Sequence, residues 1–402
     1  MYLKSKNKSE CCGCSACEQI CSKKAISFVQ IDNEGFRYPI IDNSKCIHCH
    51  LCEDVCPVEY PIFTNSEKPE AYATFIKEIE QRQRSSSGGL FYAISSWILS
   101  QCGVVYGAAF DEKLILKHER VSSKDRLDIL RGSKYLQSDL GNTFCSVKKD
   151  LNNNRWVYFV GTPCQVAGLN NYLRKKYEKL LTSDLVCHGT PSQALFNQHL
   201  DYLQKKYEGK AFNYAFRDNE GWGGCEIYEY YSKSGEKRKK KLPSYDLSPY
   251  LYSFMQGYTY RESCYECKFA KLPRQGDITL ADFWGVKKYF PDIDSSKGVS
   301  LIVINSELGK SVWNAVKKDC ISYSSTVKDC GNYNWNLLHV SMRPQIRSHI
   351  FDDIKKYGYD FIAETTFRCP DWNKKYIRYL IQNTQLYLIV KNIIKDLSKY
   401  LR

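Results

Sequence analysis

A chain of 402 residues with 43% hydrophobic and 25% charged residues has the composition of a globular protein with two or three domains, which excludes a disordered chain. No stretch reaches the roughly 18 apolar residues of a spanning helix, and the opening MYLKSKNKSE has no apolar core. The nineteen cysteines therefore suit metal ligation in a cytoplasmic protein better than a secreted disulfide scaffold, and the net charge of +14, without a nucleic-acid motif, predicts an anionic partner other than nucleic acid.

The first element in the chain is the most specific. Cys11, Cys14, Cys17 and Cys21 follow Cys-x-x-Cys-x-x-Cys-x-x-x-Cys, and Cys46, Cys49, Cys52 and Cys56 repeat it before Pro57. Three thiolates on a tight loop reach three corners of one cubane, while the fourth ligates the other. The spacing thus predicts two 4Fe-4S clusters, one on Cys11, Cys14, Cys17 and Cys56, the other on Cys46, Cys49, Cys52 and Cys21. Zinc needs four ligands per site, and eight cysteines could supply two, but the doubled spacing before proline is the dicluster pattern. Ser22 stands where proline usually follows, and Cys12 competes with Cys11 as a ligand. Between the motifs, residues 25–41 alternate into two strands around Asn33-Glu34-Gly35. Each cluster with its thiolates carries about −2, so three would reduce the formal charge to about +8.

A polar linker around Thr64 to Glu70 precedes alternating strands and helices. AYATFIK reads as a strand; Ser86, Ser87, Gly88 and Gly89 lead into the helix LFYAISSWILSQ, a phosphate cradle or a plain serine cap. VVYGAAF is the next strand. RWVYFV runs into Thr162-Pro163-Cys164-Gln165, placing Cys164 at a helix N-terminus, where a lowered thiol pKa is expected. LTSDLV delivers Cys187-His188-Gly189 to an equivalent strand end. The Lys237 to Lys241 run after Ser234-Gly235 reads as a solvated hairpin arm. Cys264 and Cys267 add a further Cys-x-x-Cys. Cys164, Cys187, Cys264 and Cys267 are candidate ligands for a third 4Fe-4S cluster, with Cys225 as a substitute; zinc, a Cys264-Cys267 redox disulfide and buried structural cysteines are the alternatives.

From residue 8 to 345 these motifs, with Gly276-Asp277-Ile278 and Asp282-Phe283-Trp284-Gly285, resemble the coenzyme F420 hydrogenase/dehydrogenase beta-subunit family. The resemblance implies FAD and a third cluster on those four cysteines. It also implies that Ser86, Ser87, Gly88, Gly89, Thr162, Pro163, Gln165 and Asp282 lie near FAD, and makes His188, Arg217 and Asp282 weak catalytic candidates. Arg217-Asp218 with Gly221-Trp222 looks like another shared patch; a salt bridge and a packed Trp are its plain explanation. The implied activity passes electrons between a low-potential donor such as a ferredoxin or a partner redox subunit, the clusters, FAD and a small organic substrate, F420 or another, in either direction. A non-catalytic relay subunit is the alternative.

The expected fold is an α+β ferredoxin-like dicluster module (1–63) fused to a larger α/β flavin-binding domain (71–345), with a helical C-terminal extension (346–402). Ile377, Leu380, Tyr387, Val390, Ile394, Leu397 and Leu401 recur at helical spacing in the extension, predicting docking on its own domain or a partner, with peripheral membrane contact as the lesser reading.

Overall fold

A computed structural model describes residues 1–218, 222, 224–242 and 245–382. Asn33-Glu34-Gly35 turns β1 (Ile26–Gln30) back on β2 (Arg37–Ile41) as an antiparallel hairpin, and the short helices Ala16–Ile20 and Leu51–Asp54 follow the first cysteines of the two motifs. Next come β3 (Glu70–Ile76), β4 (Val104–Phe110), β5 (Leu116–Val121), β6 (Val157–Gly161) and β7 (Leu180–Leu185). A small antiparallel sheet follows from β8 (Gly209–Ala215), β9 (Glu226–Ser232) and β10 (Lys237–Leu242), then β11 (Ile278–Asp282), β12 (Ser300–Ile304) and β13 (Cys320–Ser325).

The large sheet is eight-stranded, in the order β13-β3-β12-β11-β7-β6-β4-β5. It is mixed: β11, β7, β6 and β4 are parallel, with antiparallel strands on both sides. Buried runs such as VYFVG explain the centre, since parallel strands must be covered on both faces. The helices Leu90–Ser100 and Glu307–Val316 cover one face through Ile94, Ile98, Val312 and Trp313. Thr143–Asn152 and Pro163–Leu173 cover the other through Phe144, Val147, Val166 and Leu169.

The dicluster region is not a free-standing bead. Phe36 and Tyr38 of its hairpin share a core with Phe196, Leu200, Tyr228 and Tyr250. Ser192 Oγ donates to Glu34 O at 2.7 Å, and Arg347 pairs with Glu34 at 2.6 Å. The expected polar linker is also tied down: Asn65 Nδ2 donates to Arg274 O and Gly276 O, both at 2.9 Å. The C-terminal extension begins inside the same core, with Ile350, Phe351, Ile354, Tyr359, Ile362 and Phe367 buried in it. Burying these side chains removes their apolar surface from water, whereas Ile377 and Leu380 of the expected docking stripe are 57% and 48% exposed and do not pack on the body. The following helix Trp372–Gln382 touches the body through Trp372 Nε1 to Leu247 O, 3.1 Å, and Lys375 to Asp246, 3.1 Å. Tyr387, Val390, Ile394, Leu397 and Leu401 lie outside the described residues, as does Gly221. Lys237 to Lys241 form the exposed strand β10, hydrogen-bonded to β9 across the Ser234-Gly235 turn.

Candidate redox site

Parallel pairing places the chemistry at one edge of the sheet. Gly161 pairs with Asp184, and Leu185 with Leu280, so Cys164 and Cys187 follow the carboxyl ends of β6 and β7 into one cavity, while β11 runs two residues further to Asp282, which does not line it. Gly189 follows Cys187 with φ 140°, and a Cβ there would lie 2.3 Å from the Tyr260 ring, so this loop requires glycine. The helix Glu262–Tyr265 and the residues after it bring in Cys264 and Cys267 from the opposite side.

The result is a cavity of about 670 Å³, its open mouth included, lined by Cys164, Cys187, Cys264 and Cys267 together with Cys12 and His188. Among the described residues no three His, Cys, Asp or Glu side chains are gathered tightly enough for a single metal ion. One tetrahedral ion needs sulfurs about 2.3 Å from a common centre, whereas a cubane spreads its thiolates over four corners. Four cysteines lining one cavity supply the donor number that either centre requires.

A second cavity, of about 340 Å³, is lined by Cys11, Cys14, Cys17 and Cys56 with Gly13, Phe28, Pro39 and Pro57, the four cysteines that cross-ligation groups together. Cys21 and Cys52 pack beside Cys17 in a small apolar cluster, while Cys49 is exposed at the surface. The two cavities share Cys12 and Val58 as wall residues.

Cys164 does not behave as its helix-terminal position predicts. Hydrogen bonding with Cys12 and then burial push its thiol well up, against the helix dipole. Burial pushes Cys187 well up, Cys264 to about 12 and Cys267 to about 11. Facing thiols with raised pKa values make poor nucleophiles; a metal centre is what deprotonates such thiols outright.

The remaining predicted residues lie in several places. His188 lines the larger cavity, stacks on Phe254 at 6.1 Å, and is shifted down by burial, so its imidazole is neutral. Arg217 and Asp282 form a buried ion pair at 2.7 Å, Trp222 Nε1 donates to the other Asp282 oxygen at 2.7 Å, and Trp222 stacks on Trp284 at 5.0 Å. Both Nη atoms of Arg217 are thus engaged by protein, Nη2 donating to Trp222 O at 2.7 Å. Gln165 is engaged at both ends: Thr162 N–H donates to its Oε1 at 2.9 Å, and its Nε2 donates to Ser138 Oγ at 3.0 Å. This is a capping box, which Thr-x-x-Gln already spells in the sequence. Pro163, at the first helical position, lines the larger cavity with Thr162. The Gly88 N–H donates to Ser300 Oγ at 2.9 Å, a Cβ on Gly89 would strike Ile76, and the Ser86 and Ser87 hydroxyls lie within 3.3 Å of Ser133 and Ser300. Cys225 lines neither cavity; its backbone exchanges hydrogen bonds with Asp218 ahead of β9.

Two residues of the body lie directly against cysteines of the dicluster region. A Cβ on Gly168, in the helix that begins at Pro163, would lie 2.8 Å from Cys14 Cβ and 2.9 Å from its Sγ. Gly168→Ala should gain about 1 kcal/mol of helix propensity yet lose about 1–3 kcal/mol to the clash. The expected result is a lower thermal midpoint and a broadened electron paramagnetic resonance (EPR) signal from the adjacent cluster; an unchanged signal with raised stability would contradict the contact. The second residue, Arg261, links Cys11 to the segment carrying Cys264.

Residues 154–329 match the family model for the C-terminal part of the coenzyme F420 hydrogenase/dehydrogenase beta subunit. Residues 10–60 match the 4Fe-4S dicluster domain. Among solved structures, a chain of the xenon-derivatized F420-reducing NiFe hydrogenase complex from Methanosarcina barkeri is similar over 75% of this chain and 96% of its own, at 13% identity and a TM-score of 0.44. No match was found among curated proteins.

Proposed function

From the match of residues 154–329 to the C-terminal part of the coenzyme F420 hydrogenase/dehydrogenase beta subunit and of residues 10–60 to a 4Fe-4S dicluster domain, we propose that the chain is an iron-sulfur flavoprotein oxidoreductase of that family. In this reading electrons pass between a low-potential donor of the ferredoxin type, three 4Fe-4S clusters, FAD and a small organic hydride partner, F420 or a related conjugated compound. The carrying observation is the pair of cysteine-lined cavities that share Cys12 and Val58 as a common wall.

Cys46, Cys49, Cys52 and Cys21 hold the outer cluster, where exposed Cys49 gives a donor access. Cys11, Cys14, Cys17 and Cys56 hold the inner one, and Cys164, Cys187, Cys264 and Cys267 the third. Clusters carry one electron at a time, and a flavin supplies the conversion to hydride chemistry. The chain's part is to hold the carriers close in a low-dielectric body and keep water out; neutral His188, within the third cavity, stands ready to donate to a sulfur.

The flavin region fits in part. For it stand the carboxyl edge of the parallel strands, the Trp222-Trp284 stack, the Ser86 and Ser87 hydroxyls, and a buried Arg217 Nε without a partner among the described residues. Against it, Gly88 N–H, Gln165 and the Arg217 fork are bound internally. That engagement favours the second reading, an electron-relay subunit whose catalytic partner lies on another chain. Protein purified without oxygen should carry about twelve irons and one FAD in the first reading. About twelve irons without flavin would select the relay, and about eight would remove the third cluster.

A further inference from the structure

Arg261 is among the largest fully buried side chains of the protein, at 1% exposure. Its Nε donates to Cys11 O at 2.6 Å and its Nη2 to Arg37 O at 3.0 Å and to Cys11 Sγ at 3.4 Å, while Nη1 donates to Gln137 Oε1 at 3.2 Å. The guanidinium lies over the Tyr38 ring at 4.1 Å and near Phe36 at 5.5 Å. None of these partners is a carboxylate. A group that stays protonated at any accessible pH has therefore been buried against a cluster thiolate, with that sulfur as its only anionic hydrogen-bond partner among the described residues.

The outer cluster has the opposite surroundings. Its Cys49 faces water, Glu53 adjoins Cys52, and the nearby lysines are already paired: Lys45 with Asp42 at 2.8 Å and Lys4 with Glu53 at 2.6 Å. Hydrogen bonds to cluster sulfurs, local charge and solvent exposure set iron-sulfur potentials; water beside the outer cluster also favours its reduced form, so the buried Arg261 charge has to outweigh that exposure. Reduction adds one negative charge to a cluster, and an unneutralised cation in a low-dielectric interior favours the form with more negative charge.

We propose that Arg261 sets the reduction potential of the cluster on Cys11, Cys14, Cys17 and Cys56, making it the easier to reduce of the dicluster pair and drawing electrons inward from the exposed cluster. The proposal rests on the ligand assignment above. Arg261 acts through Cys11 as a positioning residue, and Cys264 of the third set follows it by three residues.

The test is an EPR-monitored titration with dithionite of anaerobically purified wild type, Arg261→Gln and Arg261→Lys, each with its iron counted. In wild type the inner cluster, identified as the signal lost in Cys14→Ala, should be reduced before the outer one. In Arg261→Gln its one-electron equilibrium should move at least tenfold toward the oxidised form, 59 mV more negative, with the outer cluster unmoved. Arg261→Lys, which keeps charge but not the fork, should move less. An unchanged potential in Arg261→Gln at full iron, equal shifts in all clusters, or a wild type whose outer cluster is reduced first would overturn the proposal. Should Arg261→Gln lose iron, the wild-type order and Arg261→Lys decide alone. Full iron in Cys11→Ala would instead overturn the ligand assignment, whatever Arg261 does.

Discussion

Cys264→Ala should lose about four irons per chain while the eight of the dicluster region remain. Cys264 and Cys267 form the single chelating pair of the larger cavity, and Thr190 Oγ1, 4.0 Å from Cys264 Sγ, is no substitute thiolate. Cys164→Ala would be a weaker test, because Cys12 borders the same cavity beside Cys164 and offers a replacement sulfur. Cys225→Ala is the control: lying in neither cavity, it should leave the count unchanged. Iron and sulfide analysis with EPR quantitation of the reduced protein reads the outcome. Undiminished iron in Cys264→Ala would refute the four-cysteine assignment, and loss of all iron would mean that the sheet edge and the dicluster region fold as one metal-dependent unit.

The largest stability effect is expected at Asp184. Its carboxylate and Arg274 are both fully buried and meet at 3.1 Å. One carboxylate oxygen also accepts from Thr279 Oγ1 at 2.6 Å, the other from the Gln275 and Gly276 N–H groups at 3.0 and 3.1 Å. The Arg274 Nη2 donates onward to Leu185 O at 2.9 Å. This network fastens the segment after Cys267 to the strand that delivers Cys187. Asp184→Ala leaves a buried guanidinium unpaired, at a cost of about 3–5 kcal/mol. For a unit of this size the thermal midpoint should fall by about 5 °C. Since two cluster ligands depend on the network, the third cluster's iron should be lost before the dicluster iron. A variant of wild-type stability and iron content would show that the pair carries no net load. Asp184→Asn, which retains acceptors for the backbone N–H groups, should lose less.

What could be read from the sequence and what could not divide by range. The dicluster motif, the hairpin between its halves, the strands and helices of the large domain, and the delivery of Cys164 and Cys187 from successive strand ends all follow from spacing and periodicity, which are local properties. The Thr162-Pro163-Cys164-Gln165 capping box is equally local, though a polar residue at a helix start reads as readily as a ligand contact. Three features were not legible. The thiol of Cys164 is pushed up, not down, because Cys12, distant in sequence, faces it. The Arg217 Nη1 and the Gln165 Nε2, polar groups suited to a ligand, are bound by Asp282 and Ser138, partners that only the folded chain supplies.

The sequence alone determined that eight cysteines are set out for two clusters and that α/β elements follow them, because ligand spacing and hydrophobic period are written into consecutive residues. Tertiary structure alone decided that the sheet is mixed, that the dicluster region and residues 350–367 share one core, and that Cys12 and Val58 join two cavities. It alone placed Arg261 against Cys11, 250 positions away. Such contacts arise from burying apolar faces and pairing buried charge across the whole chain, and no window of neighbouring residues contains that information.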